Sequence, residues 1–103
     1  MTDERLEITD VLLPQDPGYV ERFGIRADAL LRTAWTTVRV AAGDTLRLVL
    51  DDGRESRAAI VVSEHMATSL GACYALLVRT SLLPDDLRSV REAQVVPERT
   101  PDE

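Results

Sequence analysis

Apolar and polar residues alternate most clearly over residues 43–63, GDTLRLVLDDGRESRAAIVVS. A leucine stands at every second position from 46 to 50, which is the period of a β-strand with one buried face. A second apolar run, rich in β-branched residues, follows at 59–62. Residues 51–53 separate the two runs with an Asp-Asp-Gly sequence typical of a chain reversal. The pattern predicts a β-hairpin.

The length of the hairpin loop decides which side chains face the core, because a one-residue shift in register inverts every side chain. A two-residue turn would place Arg57 on the leucine face. A three-residue loop, with Gly53 in the left-handed conformation, instead turns Arg57 and Arg47 toward water. It also puts three apolar residues on the leucine side: Ala58, Ile60 and Val62. We therefore predict the three-residue loop.

Shorter patterns predict further strands. Alternating apolar positions favour strands over residues 6–13, 36–41 and 72–80. Prolines and a glycine break the chain after the first of these strands. In the loop that follows, three large apolar side chains are expected to fold back onto the core: Tyr19, Val20 and Phe23.

Two helices are also predicted. The spacing of alanines and leucines in RADALLRTAW gives one apolar stripe over residues 26–35. A second, shorter helix is predicted over residues 64–70, with Ser63 as its N-cap and Gly71 just past its end. Residues 85–96 fit either a helix that begins at a proline or an extended strand, and the local pattern leaves both open.

Together these elements predict an α+β fold, a small and mostly antiparallel barrel-like β-sheet with two or three short helices. The chain of 103 residues has the length of one domain with one core, which we assign to residues 1–96. Residues 97–103, PERTPDE, are charged and contain two prolines. We expect this tail to be disordered.

The net charge and the cysteine content exclude some classes of protein. The formal net charge is −6, whereas general nucleic-acid binding needs a basic surface to contact phosphates. The single cysteine excludes an intramolecular disulfide and fits a reducing cytoplasm. The charged start of the chain does not resemble a signal peptide, and no apolar run approaches the roughly 20 residues of a membrane span. We therefore expect a cytoplasmic protein that does not enter membranes.

Few residues offer catalytic or metal chemistry. His65 and Cys73 are the only residues of their types, and the acidic residues around them do not have the spacing of metal ligands. No glycine-rich phosphate loop is present. We predict no cofactor and no metal site.

The arginines are the one group that could form an anion site. Guanidinium groups and hydroxyls hold a phosphate well, provided that the strand ends converge. The competing interpretation is that each arginine pairs with a nearby carboxylate on the surface, where such pairs are common and weak. The arginines concerned are Arg54, Arg57, Arg79 and Arg91.

The order of these motifs resembles the MazF/PemK family of toxin ribonucleases. The resemblance rests on a strand that begins with Gly-Asp, a glycine-acid loop with an arginine, and two apolar strands that end in serine or Thr-Ser. The matching stretches are residues 43–44, 53–55, RAAIVVS at 57–63 and LLVRTS at 76–81. The resemblance implies an SH3-like barrel, usually dimeric, that cleaves single-stranded RNA and is neutralised by an antitoxin.

Three residues would carry catalysis if the resemblance extends to activity. Arg57 corresponds to the loop arginine, Thr80 to the threonine of the active-site motif, and Arg91 to the arginine of the late strand. The sequence departs from the family pattern at Ala58, where the family has a proline, and at Ala93, where it often has an acid. The sequence leaves open whether the three side chains converge.

Two hypotheses of function follow. The first, which we favour, is a non-enzymatic interaction or regulatory module that contacts a protein partner or forms a homodimer. Aromatic residues are frequent interface anchors, and the candidates here are Trp35, Tyr19 and Tyr74. The alternative is a MazF-like endoribonuclease of a toxin–antitoxin pair, and only this alternative has RNA as a partner.

Overall fold

Six antiparallel strands close into a barrel in the order β1-β2-β5-β4-β3-β6 in the computed structural model, which describes residues 5–19, 24 and 26–96. The last strand pairs with the first, so the sheet closes on itself. The elements are β1 (Arg5–Leu12), β2 (Ala29–Thr33), β3 (Thr45–Leu50), β4 (Glu55–Thr68), β5 (Gly71–Thr80), α1 (Pro84–Leu87) and β6 (Val90–Val96).

The predicted barrel is confirmed, but the predicted α+β class with two or three helices is wrong. Within the described residues α1 is the one helix, and it has four residues. It begins at a proline, as predicted, and the strand β6 follows it. Of the two alternatives left open for residues 85–96, the strand is realised over Val90–Val96, and the helix is limited to Pro84–Leu87.

The predicted hairpin is confirmed in its loop and register. Leu46 lies opposite Ala58 and Leu48 opposite Ser56, and in this register Leu50 and Arg54 flank a loop of three residues. The backbone N–H of Leu50 donates to the carbonyl of Arg54 at 2.9 Å and closes the loop. Gly53 has a φ of 92°, the left-handed conformation that only glycine adopts without strain.

The prediction for Val62 is wrong because a β-bulge interrupts β4. The register with β5 shifts between Ile60, opposite Val78, and Val62, opposite Leu77. Ile60 and Val78 lie in the barrel interior, whereas Leu77 is not part of that core. The extra residue of the bulge thus moves Val62 to the outer face.

The predicted helix over residues 26–35 is wrong, since residues 29–33 form β2. Leu31 lies in the barrel core, and Leu30 is also buried although it belongs to the outer face, opposite Leu77. A strand covered on both faces has consecutive apolar residues. Together with neighbouring alanines, these residues imitate the stripe of an amphipathic helix.

The predicted helix over residues 64–70 and the predicted strand over residues 36–41 are both wrong. β4 continues to Thr68, and Ser63 donates its hydroxyl to the carbonyl of Val40 at 3.0 Å instead of capping a helix. In the segment before β3, Thr36 alone forms a β-bridge, with Ala72. Side chains of β4 and β5 donate hydrogen bonds to carbonyls of residues 36–41, in place of the backbone hydrogen bonds that a paired strand would make.

Small and branched aliphatic side chains fill the interior of the barrel. The largest that are almost fully buried come from α1 and from every strand except β4: Leu6, Leu31, Leu46, Leu48, Leu76, Leu87, Val78 and Val90. Val20, Phe23 and the tail 97–103 lie outside the described residues. The fold is thus stabilised by aliphatic rather than aromatic burial, as the composition suggests.

An ion pair connects the β1–β2 loop to the turn after α1. Arg88 donates to both carboxylate oxygens of Asp16, at 2.8 and 2.9 Å, and Asp16 also accepts the backbone N–H of Leu13 at 2.9 Å. The hydrogen bond from Leu13 and then the pair with Arg88 lower the pKa of Asp16 below its ordinary value of 3.8. A carboxylate whose pKa is lower in the folded state than in the unfolded state stabilises the fold at pH values above its ordinary pKa. This contribution is lost as the pH falls through the lowered pKa.

We expect Asp16→Asn to lower the urea midpoint of unfolding at pH 7, because the charged acceptor is lost. The difference from wild type is expected to shrink as pH falls through the lowered pKa of Asp16, since wild type then loses the same charge. Parallel urea titrations at neutral and acidic pH measure it. Asp51→Asn is the control, because Asp51 is exposed and its carboxylate has no hydrogen bond to the described residues. Equal losses of stability for the two substitutions would contradict a stabilising role of the Asp16 carboxylate.

Candidate interaction surface

A two-stranded arm extends from the barrel at the β4–β5 hairpin. β4 pairs with β3 as far as Ala59 but with β5 as far as Thr68. We call residues 64–73 the hairpin arm. The chain reverses at the tip of the arm through Ser69 and Leu70, and the backbone N–H of Leu70 donates to the hydroxyl of Thr68 at 3.1 Å.

The hairpin arm is exposed and nearly free of charge. Residues 64–70 are all exposed, with Met66 at 63% and Leu70 at 84%. Residues 65–78 contain no Asp, Glu, Lys or Arg, although charged residues make up 29% of the chain. Exposed apolar side chains within an uncharged surface are typical of interaction sites. Sequence reasoning missed this surface, but the uncharged run was the signal that could have revealed it.

The segment before β3 attaches the arm to the barrel. Thr36 and Ala72 exchange two backbone hydrogen bonds of 2.8 Å. The hydroxyl of Tyr74 donates to the carbonyl of Val38 at 3.0 Å. These contacts hold the base of the arm in one position while its tip remains in solvent.

An open groove of about 680 Å³ lies between the arm and this segment. His65 and Tyr74 form part of its wall, with ring centroids 5.3 Å apart and planes tilted by 39°. The groove contains both apolar and charged side chains, among them Val38, Val40, Leu70, Arg39 and Asp44. A mixed lining of this kind suits a peptide segment better than a compact metal or phosphate ligand.

The outer edge of β4 presents unpaired backbone groups within the arm. Ala72 directs its N–H and carbonyl to Thr36, away from β4, so its opposite residue Ala67 directs its own groups away from β5. The same holds for His65, because the N–H of the opposite Tyr74 bonds to the hydroxyl of Thr33. In the described part of the chain, no backbone group bonds to His65 or Ala67 along this edge.

The three predicted interface aromatics occupy different environments. Trp35 is 51% exposed and lies beside the arm, next to the Thr36–Ala72 bridge. Tyr74 is 7% exposed and binds the Val38 carbonyl, so it stabilises the base of the arm. Tyr19 is half-buried in the β1–β2 loop, where its hydroxyl lies 3.5 Å from the carbonyl of Ala27. Trp35 alone among the three presents a large exposed surface.

Two of the three predicted catalytic residues are neighbours. The hydroxyl of Thr80 donates to the backbone carbonyl of Arg57 at 2.9 Å. Arg91 lies elsewhere. Arg57 on β4 and Gln94 on β6 are both opposite Arg47 of β3, the strand between them, and Arg91 precedes Gln94 by three residues along β6. Strand spacing and rise then separate the backbones of Arg57 and Arg91 by roughly 14 Å. Arg91 instead binds its own strand, through the carbonyl of Val90 at 3.3 Å.

Surface ion pairs account for several arginines. Arg54 bridges Asp86 at 2.9 Å and Asp52 at 2.7 Å, and both hydrogen bonds raise the pKa of its guanidinium. Arg47, beside Arg57 in the sheet, pairs with Glu55 at 3.1 Å. Pairing with surface carboxylates, one of the two interpretations of the arginines, therefore describes Arg54 well.

The described residues contain no group of three or more His, Cys, Asp or Glu side chains that could hold a metal ion. Within the same ranges, none of the helical structure has the length and apolar character needed to cross a membrane. No protein-family model, no curated protein and no solved structure matches this chain.

Proposed function

We propose that this chain is a non-enzymatic interaction module of the cytoplasm that contacts its protein partner through the hairpin arm. The observation that supports the proposal is the coincidence of three properties in residues 64–73. This surface projects from the barrel, is nearly free of charge, and exposes Met66 and Leu70. Native proteins usually protect such an edge with charged residues or proline, so an unprotected edge indicates a contact site.

The chemistry of the arm also indicates what kind of contact it makes. Its apolar side chains offer burial to a partner, and its free backbone groups offer hydrogen bonds at one strand edge. Trp35 lies beside the base of the arm and adds an exposed aromatic surface. A partner that covers these features would desolvate apolar area without leaving an ionised group unpaired.

Capture of partners from a cell extract tests the arm directly. We expect Met66→Lys to reduce the recovery of the specifically bound protein by about tenfold, because it places a charge at the centre of the contact. Quantitative mass spectrometry of the retained proteins measures the change. Leu83→Lys is the matched control, since Leu83 is 68% exposed but lies before α1, away from the arm. Equal recovery with both variants would argue against the arm as the contact.

The second candidate is a MazF-like endoribonuclease with an SH3-like barrel. The contact between Thr80 and Arg57 favours it, because both residues match the family's active-site motifs. Arg91 does not join them, and an acidic protein attracts RNA poorly. Incubation of the purified protein with mixed-sequence RNA separates the two candidates. Cleavage that Arg57→Ala abolishes would replace the interaction module with the nuclease, whereas intact RNA supports the module.

A further inference from the structure

We propose that the partner of the hairpin arm is a second copy of this chain, paired edge to edge through β4. The two β4 strands would run antiparallel and extend the sheet from one barrel into the other. An antiparallel pair of identical strands has twofold symmetry, the commonest symmetry of protein dimers. This inference rests on the proposed function and names the occupant of that surface.

Backbone geometry makes the edge suitable for such a pair. His65 and Ala67 direct their N–H and carbonyl groups away from β5, and the groups lie on one side of the strand at alternate positions. A second antiparallel strand uses this alternation to form paired hydrogen bonds. With Met66 on the twofold axis, His65 of each copy bonds to Ala67 of the other.

This register also matches the side chains. Met66 lies opposite its own copy on the outer face, so two exposed thioether side chains cover each other. Glu64, the acidic residue of the arm, then lies opposite Thr68, and the two carboxylates are kept apart. Moving the axis by one residue, to His65, would set Glu64 against Met66 and desolvate a carboxylate beside an apolar side chain. The axis at Met66 is therefore favoured.

The charge distribution allows a second copy of this acidic chain to reach the arm. The chain has a net charge of −6, and two copies repel each other wherever their acidic surfaces meet. Residues 65–78 provide a contact without acidic groups. An acidic protein can thus approach its own copy through the arm with little repulsion. An extended peptide from another protein would use the same edge, and the experiments below distinguish the two occupants.

Sedimentation equilibrium of the purified full chain over a wide concentration range is the first test. We expect a monomer–dimer equilibrium for wild type. Met66→Lys is expected to weaken dimerisation by tenfold or more, because two ammonium groups then face each other at the axis, and a tenfold change corresponds to about 1.4 kcal/mol. Leu83→Lys, with the same charge change at a similarly exposed leucine, is expected to leave the equilibrium unchanged.

Disulfide trapping tests the register. Residues that face each other without mutual hydrogen bonds have Cα atoms about 4.5 Å apart, within the range that a disulfide spans. In a Cys73→Ser background, Met66→Cys is expected to form a covalent dimer rapidly with oxidised glutathione, whereas Thr37→Cys, on the exposed segment before β3, remains monomeric. Faster trapping of His65→Cys than of Met66→Cys would overturn the proposed axis.

The outcomes separate this inference from the function on which it rests. A monomer at all concentrations, together with capture of another protein that Met66→Lys abolishes, would reject the second copy and retain the arm as a contact site. A monomer whose captured proteins are insensitive to Met66→Lys would reject both. A dimer that Met66→Lys and Leu83→Lys weaken equally would also reject the edge-to-edge pair.

Discussion

Replacing Leu48 with alanine is expected to lower the free energy of unfolding by about 3 kcal/mol, as truncation of a fully buried leucine typically costs 2–5 kcal/mol. Leu48 is 0% exposed at the centre of β3. Its opposite residues on the two neighbouring strands are small, Ser56 on β4 and Ala93 on β6. Small neighbours in a closed barrel cannot move in to fill the cavity, so we expect most of it to remain.

Chemical denaturation at 25 °C measures this loss as a lower midpoint with an unchanged slope. Leu83→Ala makes the same change in chemistry at a leucine that is 68% exposed, and is expected to alter stability by less than about 0.5 kcal/mol. The difference between the two variants isolates burial from leucine truncation itself. A loss below about 1 kcal/mol for Leu48→Ala would mean that β3 does not face a packed interior.

The β3–β4 hairpin was predictable because two independent local signals agreed. The leucine period defined one face, and Gly53 defined a loop that kept Arg47 and Arg57 off that face. Both signals act between residues close in sequence. The bulge before Val62 was not predictable in the same way, because it depends on how β4 pairs with β5. Register beyond the bulge is decided by tertiary structure.

The wrong helices have a common cause: local pattern does not reveal what covers a strand. Leu30 and Leu31 are both buried because this part of β2 is covered on its outer face as well. Ser63 and Gly71 looked like helix boundaries, yet the serine binds Val40 and the glycine begins β5. In each case contacts between residues far apart in sequence outweighed a weak intrinsic preference for helix.

The candidate surface was predictable in part. Trp35 was selected for its chemistry alone, and it is exposed beside the arm. The arm itself was missed because its residues were assigned to a helix. The free edge at His65 and Ala67 follows from pairings of β4 and β5 that only the folded chain defines. Edge strands are a property of sheet order, and strand order is not encoded in local periodicity.

Gly71→Ala is expected to lower the free energy of unfolding by about 3 kcal/mol and to loosen the base of the hairpin arm. Gly71 has a φ of 133°, a conformation that costs other residues about 1–3 kcal/mol. A Cβ there would also lie 2.7 Å from the carbonyl oxygen of Thr36. That oxygen accepts the N–H of Ala72 at 2.8 Å, so relief of the contact must lengthen a hydrogen bond that holds the arm.

Gly53→Ala separates the backbone strain from the steric contact, because Gly53 has a φ of 92° but no atom within 4 Å of an added Cβ. It is expected to cost only the backbone strain, about 1–2 kcal/mol. Hydrogen exchange provides the second measurement: Gly71→Ala should reduce protection of the Thr36 and Ala72 amides more than global destabilisation explains, and Gly53→Ala should not. If the two alanine variants proved equally stable and equally protected, Thr36 would not constrain Gly71. The hydrogen bonds between Thr36 and Ala72 and from Tyr74 to Val38 would then hold the base of the arm without a steric limit at Gly71.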